Sequence, residues 1–164
     1  MTCINVHSRR DVHFIFGDAT SAILVEADDG REGGWDVLGT HCQNKYSIAL
    51  RSDFGFLNEA ERTVQADYEP GLDQDGHKVF KDVVGFAPTV AKSLMEQIDL
   101  APQDARRTWL HQANINMNQM IARKVFDRDF EAHEAPVVLD EFANIAGAGS
   151  LVAFHRHNDD FEAG

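Results

Sequence analysis

The segment Trp109-Leu110-His111-Gln112-Ala113-Asn114 places a histidine where a short apolar stretch runs into a helix start. In open α/β sheets, ligands and chemistry gather outside the carboxyl ends of the strands. A neutral imidazole held there can act as a hydrogen-bond donor. A second segment, Leu139-Asp140-Glu141-Phe142-Ala143-Asn144-Ile145-Ala146-Gly147-Ala148-Gly149-Ser150, has the same design. A buried strand ends in polar residues, and small residues then open a helix. Small side chains let a ligand approach the backbone, and free N–H groups at a helix start favour negative charge. Each segment alone is read first as an ordinary structural turn.

These residues must be positioned by regular elements. Val12–Phe16, Ala22–Glu26 and Trp35–Thr40 are expected to be strands, the first two separated by a small-residue turn at 17–21. Residues 41–76 are irregular and polar, punctuated by Gly55, Pro70, Gly71 and Gly76, and are long for a structureless connection. From His77 to Ile98 the apolar positions follow helical three-and-four spacing, and Pro88 is expected to kink or split that helix. Thr108–Leu110 reads as a strand, Asn114–Phe126 as a helix, Pro136–Leu139 as a buried strand and Ser150–His157 as a third helix. Strands alternating with helices predict an α/β fold with parallel strands.

The chain has 164 residues, the scale of one domain, and can bury roughly 70% of its unfolded surface. Fifteen basic residues against 27 acidic ones give a net charge of −12. Such a body repels nucleic acid and anionic membrane, so neither is an expected partner, and an acidic partner requires a local basic patch. Apolar runs such as Ala22–Val25 and Pro136–Leu139 are too short to cross a bilayer. No basic-then-apolar leader opens the sequence. Two cysteines, Cys3 and Cys42, make no disulfide framework, and a reducing cytoplasm is the expected compartment. His155 and His157 sit two apart, which is poor ligand geometry on a helix, and Asp73-Gln74-Asp75-Gly76 lacks the outer acidic ligands of a calcium loop, so no metal site is expected.

Taken together, the two turns are similar to those of β-ketoacyl-acyl-carrier-protein synthase III, a member of the thiolase-like superfamily, in its C-terminal half. Phe16-Gly17-Asp18-Ala19-Thr20-Ser21-Ala22 resembles that family's Phe-Gly-Asp-Gly-Ala-Gly-Ala turn. Asp75-Gly76-His77-Lys78-Val79-Phe80-Lys81 resembles its Gly-x-x-Val-Phe-Lys helix start, and Phe154-His155-Arg156-His157 sits where its last long helix ends. The resemblance covers nearly the whole chain but about half of a family chain. It implies a thiolase-like layered α/β fold, with residues 1–30 as the tail of the N-terminal half and 31–164 as the C-terminal domain, cut short before its final strands.

It also implies a condensing enzyme with a Cys–His–Asn triad and no cofactor. Acyl-CoA and malonyl-acyl-carrier protein are its substrates, in fatty-acid or polyketide synthesis, and the full-length protein is a homodimer. By residue-wise carry-over, His111 and Asn144 are the catalytic His and Asn. They match two neutral donors aimed at the thioester oxygen that turns negative on decarboxylation. Phe80, Ala113 and Asn114 match positions along the pantetheine passage, Gln112 orients the turn beside it, and Lys81, Arg123 and Lys124 form a basic patch for the acidic carrier protein. Solvated lysines on a helix face explain that patch equally well. Neither Cys3 nor Cys42 lies in the small-residue helix start that the family's nucleophile occupies, so a fragment inactive alone is expected. The sequence departs from the pattern at Ala143-Asn144-Ile145, where the family has Gly-Asn-Thr, and at Asn116, where some members carry Arg. A non-catalytic ketosynthase-like subunit or remnant, or an ester-forming acyltransferase, remains open.

Overall fold

A computed structural model describes residues 14–28, 30, 33–52, 72–159 and 161. Cys3, the start of the Val12–Phe16 strand and residues 53–71 lie outside them. The order of elements is β1 (Leu50–Ser52), β2 (Leu72–Gln74), α1 (Gly76–Gln97), α2 (Ile115–Phe126), α3 (Leu139–Phe142) and α4 (Gly149–Arg156). Short 3₁₀ turns at Pro102–Asp104, Ala132–Glu134 and Ala146–Ala148 link the later helices. β1 and β2 pair antiparallel, with Leu50 opposite Gln74. No described helix is long and apolar enough to cross a membrane.

The helices arise where periodicity and capping agree. Asp75 caps α1 by accepting the Lys78 N–H at 3.0 Å, and Asn114 caps α2 by accepting the Met117 N–H at 3.1 Å. The apolar stripe of α1, with Phe80, Val83, Val84, Ala87, Ala91 and Met95, packs on Met117, Ile121 and Val125 of α2. The other face of α2 buries Ala122 and Phe126 against Ala105 and Ala135. Phe126 is 0% exposed, and burying it contributes roughly 1.5–3 kcal/mol. α2 ends at Asp127, whose left-handed backbone (φ 56°) lets its N–H close on Arg123 O.

Pro88 was expected to kink or split α1, and it does not split it. Proline lacks the N–H that would bond Val84 O one turn earlier, and so orphans a carbonyl on the buried side. Lys124 of α2 supplies the missing donor, with Nζ 3.1 Å from Val84 O. One residue on, Thr89 Oγ1 donates to Gly85 O at 3.3 Å. The broken rung is repaired from the neighbouring helix, so α1 runs through 22 residues.

The expected strands fare differently. Among the described residues, 22–26 and 35–40 form no ladder, and Ile23, Leu24, Val25, Val37 and Leu38 are exposed. Residues 39–45 instead run beside α1, with Gly39 against Ile98 and Leu94, His41 Nδ1 3.1 Å from Gln97 Nε2, and Lys45 3.7 Å from Asp82. Thr108–Leu110 carries one backbone bond across, from Thr108 N to Glu134 O at 2.8 Å, and is no strand. Leu139 opens a short helix rather than closing a strand. Parallel pairing is confined, among the described residues, to one bridge between Phe16 and Asn144. A strand needs a partner for its backbone groups, and periodicity specifies a face without naming a partner.

Trp109 stacks edge-on with Phe154 (4.9 Å) and Trp35 (6.3 Å), tying α4 and the 33–40 segment to the residues just before His111. On the far side, Arg128 grips Glu134 through both nitrogens, at 2.5 and 3.1 Å. That fork, aided by the Glu131 N–H, holds the Glu134 carboxyl down from 4.5 to about 2.

Two outcomes follow. Lys124→Met should cost about 1–2 kcal/mol by leaving Val84 O without a donor, and in a Pro88→Ala background the cost should largely vanish; urea unfolding measures both. A group with a depressed folded pKa stabilises above its unfolded value and loses that contribution as acid protonates it. The Arg128–Glu134 contribution should therefore be complete above 4.5 and disappear toward about 2, and Glu134→Gln should flatten the stability profile across that window.

Candidate active site

His111 lies just before α2, in a turn closed by Ala113 N donating to His111 O at 3.1 Å. Its side chain is exposed. The turn is held from beneath by Asn118, which is 4% exposed. With its amide nitrogen turned toward the two carbonyls, Asn118 donates to His111 O (3.1 Å) and Asn114 O (3.3 Å). Sequence reasoning missed Asn118; its signal was a polar residue on the buried face of an amphipathic helix, four residues after the cap.

Gln112 is 0% exposed. Its Nε2 donates to Leu110 O (2.9 Å) and Pro136 O (3.3 Å), and its Oε1 accepts the Val138 N–H (3.1 Å). Its side chain also packs on Gly149, where an added Cβ would lie 2.9 Å from Gln112 Cβ. One buried carboxamide thus joins the His111 turn to both flanks of the loop that carries Asn144. Its polar atoms are engaged with three backbone groups.

Asn144 is 9% exposed and sits between α3 and α4. Its backbone N donates to Ile15 O (3.0 Å), and its O accepts the Gly17 N–H (3.1 Å). Its Oδ1 accepts the Ala146 N–H (3.0 Å), so Nδ2 is the group left to donate. The loop is strained on both sides: Ala143 has φ 56°, ψ −158°, a region that glycine favours, and Ala146 has φ 52°. Each such residue costs roughly 1–3 kcal/mol and persists only where its surroundings impose it. Ile145, where the resembled family has Thr, is 3% exposed and packed inward.

The remaining candidates divide. Ala113 is half-buried in the turn, and Asn114 spends its Oδ1 on the cap. Phe80 packs in the α1–α2 core. Lys81 and Arg123 are exposed, while Lys124 is engaged with Val84 O. Cys42 is an exposed free thiol on the 39–45 segment. A cavity of about 400 Å³ lies elsewhere, lined by Asp104, Arg106, Arg107, Arg128, His133 and Glu134 among others, and includes neither His111 nor Asn144.

The fold is similar to part of that of a solved 3-oxoacyl-carrier-protein synthase. The crystal structure of 3-oxoacyl-(acyl-carrier protein) synthase from Burkholderia xenovorans LB400 matches with a TM-score of 0.53, covering 68% of this chain and 32% of that one at 19% identity. Residues 95–164 match the family model described as 3-oxoacyl-[acyl-carrier-protein] synthase III C terminal. The chain is 44% identical over 160 residues to a Pseudomonas aeruginosa protein named beta-ketodecanoyl-[acyl-carrier-protein] synthase, covering 94% of this chain and 45% of that protein. It is 27% identical over 141 residues to beta-ketoacyl-[acyl-carrier-protein] synthase III of Prochlorococcus marinus, covering 82% and 39%. Over residues 95–164 the chain is similar to the C-terminal part of the synthase III family, and it spans less than half the length of these relatives.

Ala143→Gly should relieve the strain beside Asn144. Set against the entropy that glycine loses on folding, the net gain should be about 1 kcal/mol, read as a raised denaturation midpoint.

Proposed function

We propose that this chain supplies the His–Asn part of a condensing site that extends an acyl thioester with malonyl-acyl-carrier protein, in fatty-acid or polyketide synthesis. The observation that carries this is the Gln112 network, which ties the His111 turn to the Asn144 loop through Pro136, Val138 and Gly149.

The chemistry runs in two stages. A cysteine thiolate attacks the acyl-CoA carbonyl, the thioester bond breaks and CoA thiolate leaves, giving an acylated enzyme. The malonyl carboxylate then departs as carbon dioxide, and the electron pair of the broken C–C bond passes into a thioester enolate. The His111 imidazole, as a neutral donor, and Asn144 Nδ2 stabilise the negative oxygen. The enolate carbon attacks the acyl carbonyl, a C–C bond forms, and the cysteine thiolate is released. Cys42 sits exposed on an irregular segment with no helix N-terminus to activate it. The nucleophile in this reading is therefore a cysteine outside these 164 residues.

Lys81 and Arg123, exposed on α1 and α2 of an otherwise acidic body, steer the carrier protein. The name of the Pseudomonas relative adds a finer reading, a primer two carbons shorter than a decanoyl product. Ile145 in place of a hydroxyl residue favours the second reading, a ketosynthase-like subunit without turnover.

In the intact protein that carries this chain, His111→Ala and Asn144→Ala should each slow carbon dioxide release from malonyl-acyl-carrier protein by about 10²–10³-fold while acyl transfer from acyl-CoA persists. Release at the unaltered rate in either variant sinks the condensing reading.

A further inference from the structure

Asn144 stands in no helix and in no extended ladder. Its backbone is gripped on both sides by the three-residue segment Ile15-Phe16-Gly17, through Asn144 N to Ile15 O and Gly17 N to Asn144 O. That segment is itself anchored, because Ile15 and Phe16 pack on buried Leu72 at the start of β2. Gly17 has no positive-φ requirement. Its small size matters for another reason. A Cβ at position 17 would lie 2.1 Å from Phe142 O and 3.2 Å from Phe142 C, with Ile145 Cγ2 at 3.3 Å. The obstruction is backbone, two residues before Asn144, and a backbone carbonyl cannot swing aside as a side chain can. Ala143, the residue between, is already strained and offers no slack.

We propose that Gly17 is a positioning residue for Asn144: the absence of a side chain lets the 15–17 strap close on the Phe142–Ile145 backbone and hold the Asn144 carboxamide at the reacting thioester. The proposal rests on the condensing reading above. Any side chain at 17 pushes the Phe142 carbonyl away, and the displacement passes through Ala143 into Asn144. The strap's two hydrogen bonds, Asn144 N to Ile15 O and Gly17 N to Asn144 O, cannot both be kept. An ångström of misplacement at a reacting group is enough to cost about 10²-fold in rate.

The test uses the intact protein and two partial reactions, acyl transfer from acyl-CoA and carbon dioxide release from malonyl-acyl-carrier protein. Gly17→Ala should lower carbon dioxide release by about 10²-fold and leave acyl transfer within about threefold. In an Asn144→Ala background, Gly17→Ala should add no further loss, because it acts through that side chain. Equal losses in both reactions, or an additive loss in that background, overturn the proposal. If Gly17→Ala does not accumulate as folded protein, Phe16→Ala loosens the anchor on Leu72 without adding a Cβ. It should give the same step-selective, non-additive pattern at smaller amplitude, and its absence overturns the proposal. If the unaltered protein performs neither partial reaction, the condensing reading fails separately. The positioning claim is then decided by the Asn144 side-chain amide resonance, which Gly17→Ala must shift and Lys78→Ala, on the exposed first turn of α1, must not.

Discussion

A carboxamide removed wholly from water must find partners for its oxygen and its nitrogen, or the fold carries the cost of stranding them. Gln112 meets that demand with three backbone groups: Leu110 O from its own approach, and Pro136 O and Val138 N from a segment more than twenty residues later. These bonds do what a ladder between two strands would otherwise do. They fix the distance between the stretch ending in His111 and the stretch leading to Asn144. Gly149 then closes against the same side chain, so the start of α4 takes its position from Gln112 too. Replacing Gln112 by an apolar residue of similar size would strand the Val138 N–H and loosen both candidate loops together, which couples stability to site geometry at a single position.

Much of the helical frame was legible because helices are local. The stripe from Phe80 to Met95 and, to within one residue, the limits of α1, α2 and α4 follow from interactions within a few residues. The continuity of α1 through Pro88 was not legible, since its repair comes from Lys124 on another helix. Lys124, read as one of three docking cations, is exposed like Lys81 and Arg123 and also donates from its ammonium to a carbonyl of α1. Phe80, assigned by the resemblance to a passage, is half-buried and packs against the core of the helix pair.

The strands were the least legible part. Ile23, Leu24, Val25, Val37 and Leu38 have the residue types of strands, yet they stand exposed with no ladder. Their types describe a surface that packs against something, while the hydrogen bonds that make a strand belong to whatever lies alongside. The chain spans less than half the length of the relatives it matches. The turns that carry the candidates His111 and Asn144 are by contrast built by a helix cap, one buried amide and the 15–17 backbone, all within this chain.

The Asn144 loop shows why the site nevertheless needs more than its own residues. Two alanines at φ 56° and 52° flank it, and neither conformation would persist in a free loop. The restraint comes from three sides: the 15–17 strap on the backbone, the Ala146 N–H on Oδ1, and Gln112 through the loop's two ends. A glycine at 143 would adopt the same conformation without strain, and the loop would then need less from its surroundings. With alanine there, the carboxamide's position is held by opposing forces rather than by local preference. Small residues at its neighbours, Gly17 above all, then matter for what they leave empty, because the close approach of two backbones lets those forces meet at Asn144.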